Sequence, residues 1–177
     1  MKKFAVIIFV IAITISVMLT GCTNKTVIDV DAVTTASIVN NEDDLAKMLS
    51  ENGNWIVAIV NNVYSKEDII IDGDFYDKGD DTQDLYRKLA LYSQDSDHNV
   101  TARFILEAKK LFVTSPNTRI QGGTFKGDVY VQANGFTVYD AIIDGDIYFS
   151  RQEFKDSFVL PTEDGKAGTV TGSLKIK

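Results

Sequence analysis

From residue 41 onward, the order of apolar and polar positions predicts a short helix followed by a run of strands. Asn41 is a capping residue, and Glu42, Asp43 and Asp44 put negative charge in the first turn, where the helix dipole favours it. Leu45, Met48 and Leu49 then fall on one face, and Asn52-Gly53 ends the pattern, giving a helix over residues 42–51. The continuous apolar stretch at 55–60 has the length of a strand covered on both faces. Ile69-Ile70-Ile71 predicts a second strand, ended by Asp72-Gly73-Asp74, and strands resume at 101–108 and 111–114. Residues 77–98 break the pattern with Asp77, Asp80, Asp81, Asp84, Asp95 and Asp97 around a helical-looking centre at 85–92, so an acidic excursion carrying one short helix is expected there.

The last third repeats itself. Phe125-Lys126-Gly127-Asp128-Val129-Tyr130-Val131 returns as Ile143-Asp144-Gly145-Asp146-Ile147-Tyr148-Phe149 and as Val170-Thr171-Gly172-Ser173-Leu174-Lys175-Ile176. A weaker copy is Ile71-Asp72-Gly73-Asp74-Phe75-Tyr76. The glycines of the three stronger copies are 18 and then 27 residues apart. A short period with a glycine corner and alternating apolar residues suits one coil of a parallel β-helix, stacked on the next at ~4.8 Å. Stacking places Val129, Ile147 and Leu174 in one inward ladder and Val131, Phe149 and Ile176 in another, with Tyr130, Tyr148 and Lys175 outside. Lys126 then lies beside Asp144, which is favourable, and Asp128 beside Asp146, which is not. The residues between Arg151 and Lys166 form a loop leaving the coil. The expected fold is all-β: a small single-domain right-handed parallel β-helix over 38–177 with an N-terminal capping helix and the excursion, the alternative being an antiparallel β-sandwich.

The N-terminus reads separately. Lys2 and Lys3 precede an uncharged, almost wholly apolar stretch from Phe4 to Leu19, the pattern of a secretory signal. The competing reading is a plain transmembrane anchor with an incidental cysteine. Leu19-Thr20-Gly21-Cys22 resembles the lipobox of bacterial lipoproteins. That resemblance implies cleavage between Gly21 and Cys22, a signal peptide at 1–21, and fatty acylation of Cys22. Two or more acyl chains give stable anchoring, so the body needs no membrane surface of its own. The implied location is the cell membrane or outer membrane, lipid-anchored and facing away from the cytoplasm. Thr23, in place of Asp, argues against retention at the inner of two membranes. Residues 22–37, polar and small, are expected to form a tether.

Cys22 is the single cysteine, so no intrachain disulfide can form. Loss of residues 1–21 removes two lysines and no acid, making a chain of net charge −7 more acidic still. Such a body is a poor partner for nucleic acid.

The helix, the 55–60 run and the Ile69-Ile70-Ile71 strand resemble the opening of pectate-lyase-like β-helix proteins, and the turn from Ser115 to Thr124 resembles a coil turn of that class. The glycine repeats are also similar to those of bactofilins, which lack the leading helix and the acidic excursion. The first resemblance implies acidic Ca²⁺ ligands and a basic catalytic residue on the outer face. Asp72, Asp74, Asp144, Asp146, Asp128, Arg119 and Arg151 are the residues of those types. Asp-Gly-Asp at Asp72 and Asp74, and at Asp144 and Asp146, offers two oxygen ligands to a hard cation, but the expected reading is an ordinary turn, with no metal or cofactor. No nucleophile elbow, phosphate loop or zinc-ligand set is present in the sequence. His98, the single histidine, is expected to be solvated rather than catalytic. Tyr130, Tyr148 and Tyr76 are either a sugar-stacking stripe or the ordinary exposed aromatics of a pleated surface, and the second is the expected reading. The expected role is a non-catalytic structural or ligand-binding envelope protein, with polysaccharide or another envelope protein as partner. A polysaccharide-active enzyme, a carbohydrate-binding module and a self-assembling polymer are the alternatives.

Overall fold

The computed structural model describes residues 36–162 and 165–177. The expected signal peptide and cleavage site, Cys22 and nearly all of the expected tether lie outside them. Ala36 and Ser37, expected in the tether, already belong to a paired strand.

Within the described residues the chain is mostly β and passes repeatedly between two parallel sheets. The first pass holds β1 (Ala36–Val39) and α1 (Glu42–Leu49). The Asn41 side chain accepts the Asp44 amide at 2.9 Å, and Leu45 and Leu49 are fully buried. Next come β2 (Ile56–Ile59), β3 (Val63–Tyr64) and β4 (Ile69–Ile71). The third pass runs through β5 (Arg87–Ala90), a hairpin of β6 (Tyr92–Gln94) and β7 (Val100–Arg103), and β8 (Ile105–Val113). It is followed by β9 (Thr118–Gln121) and β10 (Thr124–Val131), then by β11 (Thr137–Tyr139), β12 (Ile142–Asp144) and β13 (Ile147–Phe149). A helical turn, α2 (Gln152–Asp156), precedes β14 (Thr169–Val170) and β15 (Leu174–Ile176).

Sheet A has the order β1-β2-β5-β9-β11; sheet B joins β3 and β4 to β8, then β10, then β12 and β13, then β14 and β15. Among the described residues every strand pair in both sheets is parallel, and antiparallel pairing is confined to the β6–β7 hairpin and the single bridges Tyr76–Leu85 and Tyr139–Ala167. An antiparallel sandwich is therefore not what this chain forms.

Inward side chains stack in columns. Val57, Leu89, Ile120 and Val138 are opposed in sheet A and fully buried. In sheet B, Leu111 stands against Val129, Val129 against Ile147 and Ile147 against Leu174; Val113, Val131, Phe149 and Ile176 form the neighbouring column. Leu174 and Ile176, on the last strand, are 38% and 49% exposed.

A column of glycines explains how the second sheet bends. A Cβ on Gly127 would stand 1.9 Å from the Ala108 carbonyl oxygen, on Gly145 2.1 Å from that of Gly127, and on Gly172 2.4 Å from that of Gly145. Backbone crosses backbone here, so no side chain fits. In β8 the same place is taken by Ala108 and Lys109, and the register slips between Lys126 and Asp128 to absorb the additional residue.

Three sequence expectations need correction. Residues 85–92 are not helical. Arg87, Leu89 and Leu91 alternate inward with no exposed surface, and pairing of β5 with β2 and β9 overrides the local helical look. The third pass of the body thus runs through the supposed excursion. Ile71-Asp72-Gly73-Asp74 is also out of phase with the other repeats. Ile71 pairs with Val113, which pairs with Val131, so the Asp-Gly-Asp lies beyond the strand end. Finally, the segment after Arg151 packs on the body. Phe154 is 8% exposed, and Phe158 lies 5.7 Å from Phe136 and 5.5 Å from Phe149.

Arg87 holds the leading helix in place. Its side chain is fully buried. Nη2 donates to the Met48 carbonyl at 2.8 Å and the Ser50 carbonyl at 3.4 Å, and Nη1 to that of Asp72 at 3.0 Å. These include carbonyls that the end of α1 leaves open. The Phe75 ring covers the guanidinium at 3.8 Å. Burial pulls its pKa down to about 10.

Candidate functional site

The predicted acidic residues do not converge. Asp72 accepts the Thr114 hydroxyl at 2.8 Å at the end of sheet B, while Asp144 accepts that of Thr171 at 3.1 Å in the middle of the sheet. The two Asp-Gly-Asp sequences, Asp72 with Asp74 and Asp144 with Asp146, therefore serve different places. Among the described residues, no three of His, Cys, Asp and Glu are grouped to hold a metal ion.

Asp128 and Asp146 are neighbours as expected, and the structure offsets their repulsion. Asp128 Oδ1 accepts the Asp146 amide at 3.1 Å, and Asp146 Oδ1 accepts the Ser173 amide at 2.8 Å. Each carboxylate thus caps the backbone of the following pass. Asp146 also pairs with the Lys175 ammonium and accepts the Tyr148 hydroxyl at 3.1 Å. The Lys175 bond, then the Ser173 amide and the Tyr148 hydroxyl, bring its pKa down to about 2.

The outer face of sheet B carries a ladder. Ile70, Phe112, Tyr130, Tyr148 and Lys175 stand at matching positions on successive strands. The Phe112 and Tyr130 rings are 5.1 Å apart, and those of Tyr130 and Tyr148 are stacked at 4.9 Å. Lysines flank them: Lys177 Nζ lies about 5 Å from both tyrosine rings, at 5.1 and 5.0 Å, and Lys110 Nζ lies 5.8 Å from Tyr130. A hollow of about 240 Å³ opens beside Tyr130, Gln132, Tyr148 and Lys177. Tyr76 is not part of this stripe; it bridges to Leu85 instead. Phe112 takes its place, missed because β8 has no glycine to mark its repeat.

The outer face of sheet A carries two adjoining hollows that share Ile56 and Lys88. One, of about 450 Å³, has a floor that includes Ile38, Ile56, Ala58 and Ala90 and is edged by the β6–β7 hairpin. Arg103 anchors that hairpin through the Gly122 and Asp140 carbonyls and the Asp140 carboxylate, the last at 2.7 Å. His98 lies at this rim, exposed, with φ 63° and Nδ1 3.0 Å from Gln94 Nε2. The other hollow, of about 470 Å³, is lined by Trp55, Tyr86, Lys88 and Arg119 with Asp77 and Asp84.

Lys88 sits between the two. Its Nζ is 3.1 Å from the Tyr92 hydroxyl, which also accepts from Gln121. Burial, and then the charge of Arg119, lower its pKa to about 8. Arg119 stands directly across from Lys88 in the sheet, with its guanidinium 5.1 Å from the Tyr139 ring and 5.9 Å from that of Tyr86. Arg119 was on the sequence list of basic residues. Lys88 was not, because residues 85–92 looked like a helix. Arg151, the other basic candidate, pairs with Glu153 on the surface.

No helix of the described residues is long and apolar enough to cross a membrane. The chain matches no family model, no curated protein and no solved structure.

Proposed function

We propose that this chain is an exported lipoprotein, cut before Cys22 and anchored by acylation there, whose body is a right-handed parallel β-helix with a non-catalytic ligand-binding role. Polysaccharide is the partner its surface fits best. The alternation of parallel strands between two sheets supports a coiled path, and right-handed crossovers are the rule for parallel strands. The helix α1, with Leu45 and Leu49 buried, closes the first coil. Anchoring rests on Leu19-Thr20-Gly21-Cys22.

The observation that carries the binding role is the Phe112–Tyr130–Tyr148 ladder, with ring centroids 5.1 and 4.9 Å apart, flanked by Lys110, Lys175 and Lys177. Rings stacked on one another turn their edges outward as one apolar strip, against which the C–H groups of a sugar can pack, and the lysines donate to hydroxyl or carboxylate oxygens. The ring spacing follows the strands, so successive rings present one continuous strip. The test is affinity electrophoresis of the wild-type protein through gels containing individual polysaccharides, beside Tyr130→Ala and Tyr148→Ala. Retardation by at least one polysaccharide, relieved in both variants, supports the reading. Equal mobility of wild type and variants in every gel refutes it. For the anchor, labelled palmitate should enter the wild type and not Cys22→Ser.

A further inference from the structure

Lys88 and Arg119 oppose each other directly on neighbouring strands of sheet A. Like charges in that arrangement repel, and both side chains are partly buried, which raises the cost. Among the described residues neither forms an ion pair, and Arg119 Nε has no hydrogen-bond partner although it is buried. Two cations held together in a hollow of about 470 Å³, without an acid between them, leave room for an anion.

We infer that this hollow binds a small ligand carrying a single carboxylate or phosphate group, held between Lys88 and Arg119, with its apolar part against Tyr86 and Trp55. One oxyanion would neutralise the opposed pair, and Arg119 offers it a planar fork of donors. The Tyr86 ring, facing Trp55 at a centroid distance of 6.0 Å, supplies the apolar surface. Asp77 and Asp84 line the same hollow without pairing to either cation. Their charge opposes a second acidic group elsewhere on the ligand, so the site selects a ligand with one oxyanion group over a polyanion. This site is on the other sheet from the aromatic ladder and stands or falls independently of it.

Trp55 is the single tryptophan and lines the hollow, so its emission reports occupancy directly. The experiment titrates the full-length protein in neutral detergent with benzoate and with phenyl phosphate, using phenol as the uncharged control, followed by Trp55 fluorescence and calorimetry. Saturable binding of one or both anions is expected, with no saturable response to phenol. Whichever anion binds identifies the group. Lys88→Met and Arg119→Gln should each weaken that binding tenfold or more while the circular dichroism spectrum is unchanged. Affinity in the wild type should fall as pH rises through about 8, where Lys88 gives up its proton. The groups facing Lys88 are Arg119, Tyr86, Tyr92, Asp77 and Asp84, with His98 across the adjoining hollow; burial moves the two tyrosines to higher pKa, further from this window. Absence of saturable binding of either anion at millimolar concentration overturns the proposal. So does wild-type affinity in folded Lys88→Met and Arg119→Gln.

Discussion

Replacing Gly145 by alanine tests the stacking of the passes at a point where backbone crosses backbone. A Cβ there would sit 2.1 Å from the Gly127 carbonyl oxygen and 2.6 Å from its carbon. Ordinary contact begins near 3.4 Å, so the two passes must separate by about 1 Å or twist locally. Three hydrogen bonds cross this point: Asp146 N to Asp128 Oδ1 at 3.1 Å, Val129 N to the Asp146 carbonyl at 2.9 Å, and Gly172 N to the Gly145 carbonyl at 3.1 Å. Losing or stretching them at about 0.5–1.5 kcal/mol each, together with the strain, gives about 2–4 kcal/mol of destabilisation. Gly165→Ala is the control. Its φ of +70° strains an alanine, but nothing lies within 4 Å of the added carbon, so the cost is about 1 kcal/mol. For a body of this size each kcal/mol moves Tm by about 2–4 °C, which puts Gly145→Ala several degrees below the control in a thermal melt. If the two variants melt together, the close crossing of backbones at Gly145 is wrong.

Arg87→Met removes the guanidinium from the Met48, Ser50 and Asp72 carbonyls; the first two keep the Asn54 and Gly53 amides as donors, so the expected cost is about 1–3 kcal/mol in urea unfolding. Lys88 has a folded pKa near 8, below its unfolded value of 10.5, so the folded state resists its charge. Stability should therefore rise by about 1–2 kcal/mol relative to Lys88→Met as pH climbs from 8 to 10.5, because there the unfolded chain binds more protons. Parallel unfolding curves of the two proteins at pH 7 and 10 check this. Asp146 shows the opposite sign: with its pKa brought down to about 2, its contribution is complete above pH 4 and is lost as pH falls toward 2. Acid titration followed by circular dichroism should show the wild type and Asp146→Asn converging over that window.

The repeat units at Gly127, Gly145 and Gly172 were legible because a close backbone approach demands glycine and the flanking residues alternate strictly. The helix at 42–49 was legible from its cap and its apolar face. The third pass was hidden for two physical reasons. Arg87 occupies an inward position where a pattern reader expects an apolar residue, and its charge is met by the Phe75 ring and by carbonyls at the ends of α1 and β4, all distant in sequence. In β8, Ala108-Lys109 replaces the glycine, so no marker announces the repeat. The weak copy at Gly73 misled because Asp-Gly-Asp also ends strands. Part of the outer ladder was visible in Tyr130 and Tyr148, but Phe112 depended on the hidden pass. The Lys88–Arg119 hollow could not be seen at all, since Trp55, Lys88 and Arg119 become neighbours only through sheet A.

The register of the stacked passes underlies both surfaces, and a cysteine pair measures it most directly. In the full chain carrying Cys22→Ser, Tyr130→Cys with Tyr148→Cys places two thiols on directly opposed positions of adjacent parallel strands, a separation that a disulfide spans. Mild oxidation should close that bond within one molecule, seen by mass spectrometry as loss of two hydrogens. Tyr130→Cys with Ile147→Cys puts the second thiol on the buried side and should remain reduced. Free thiols in the first pair, or equal closure in both, would contradict the stacked register.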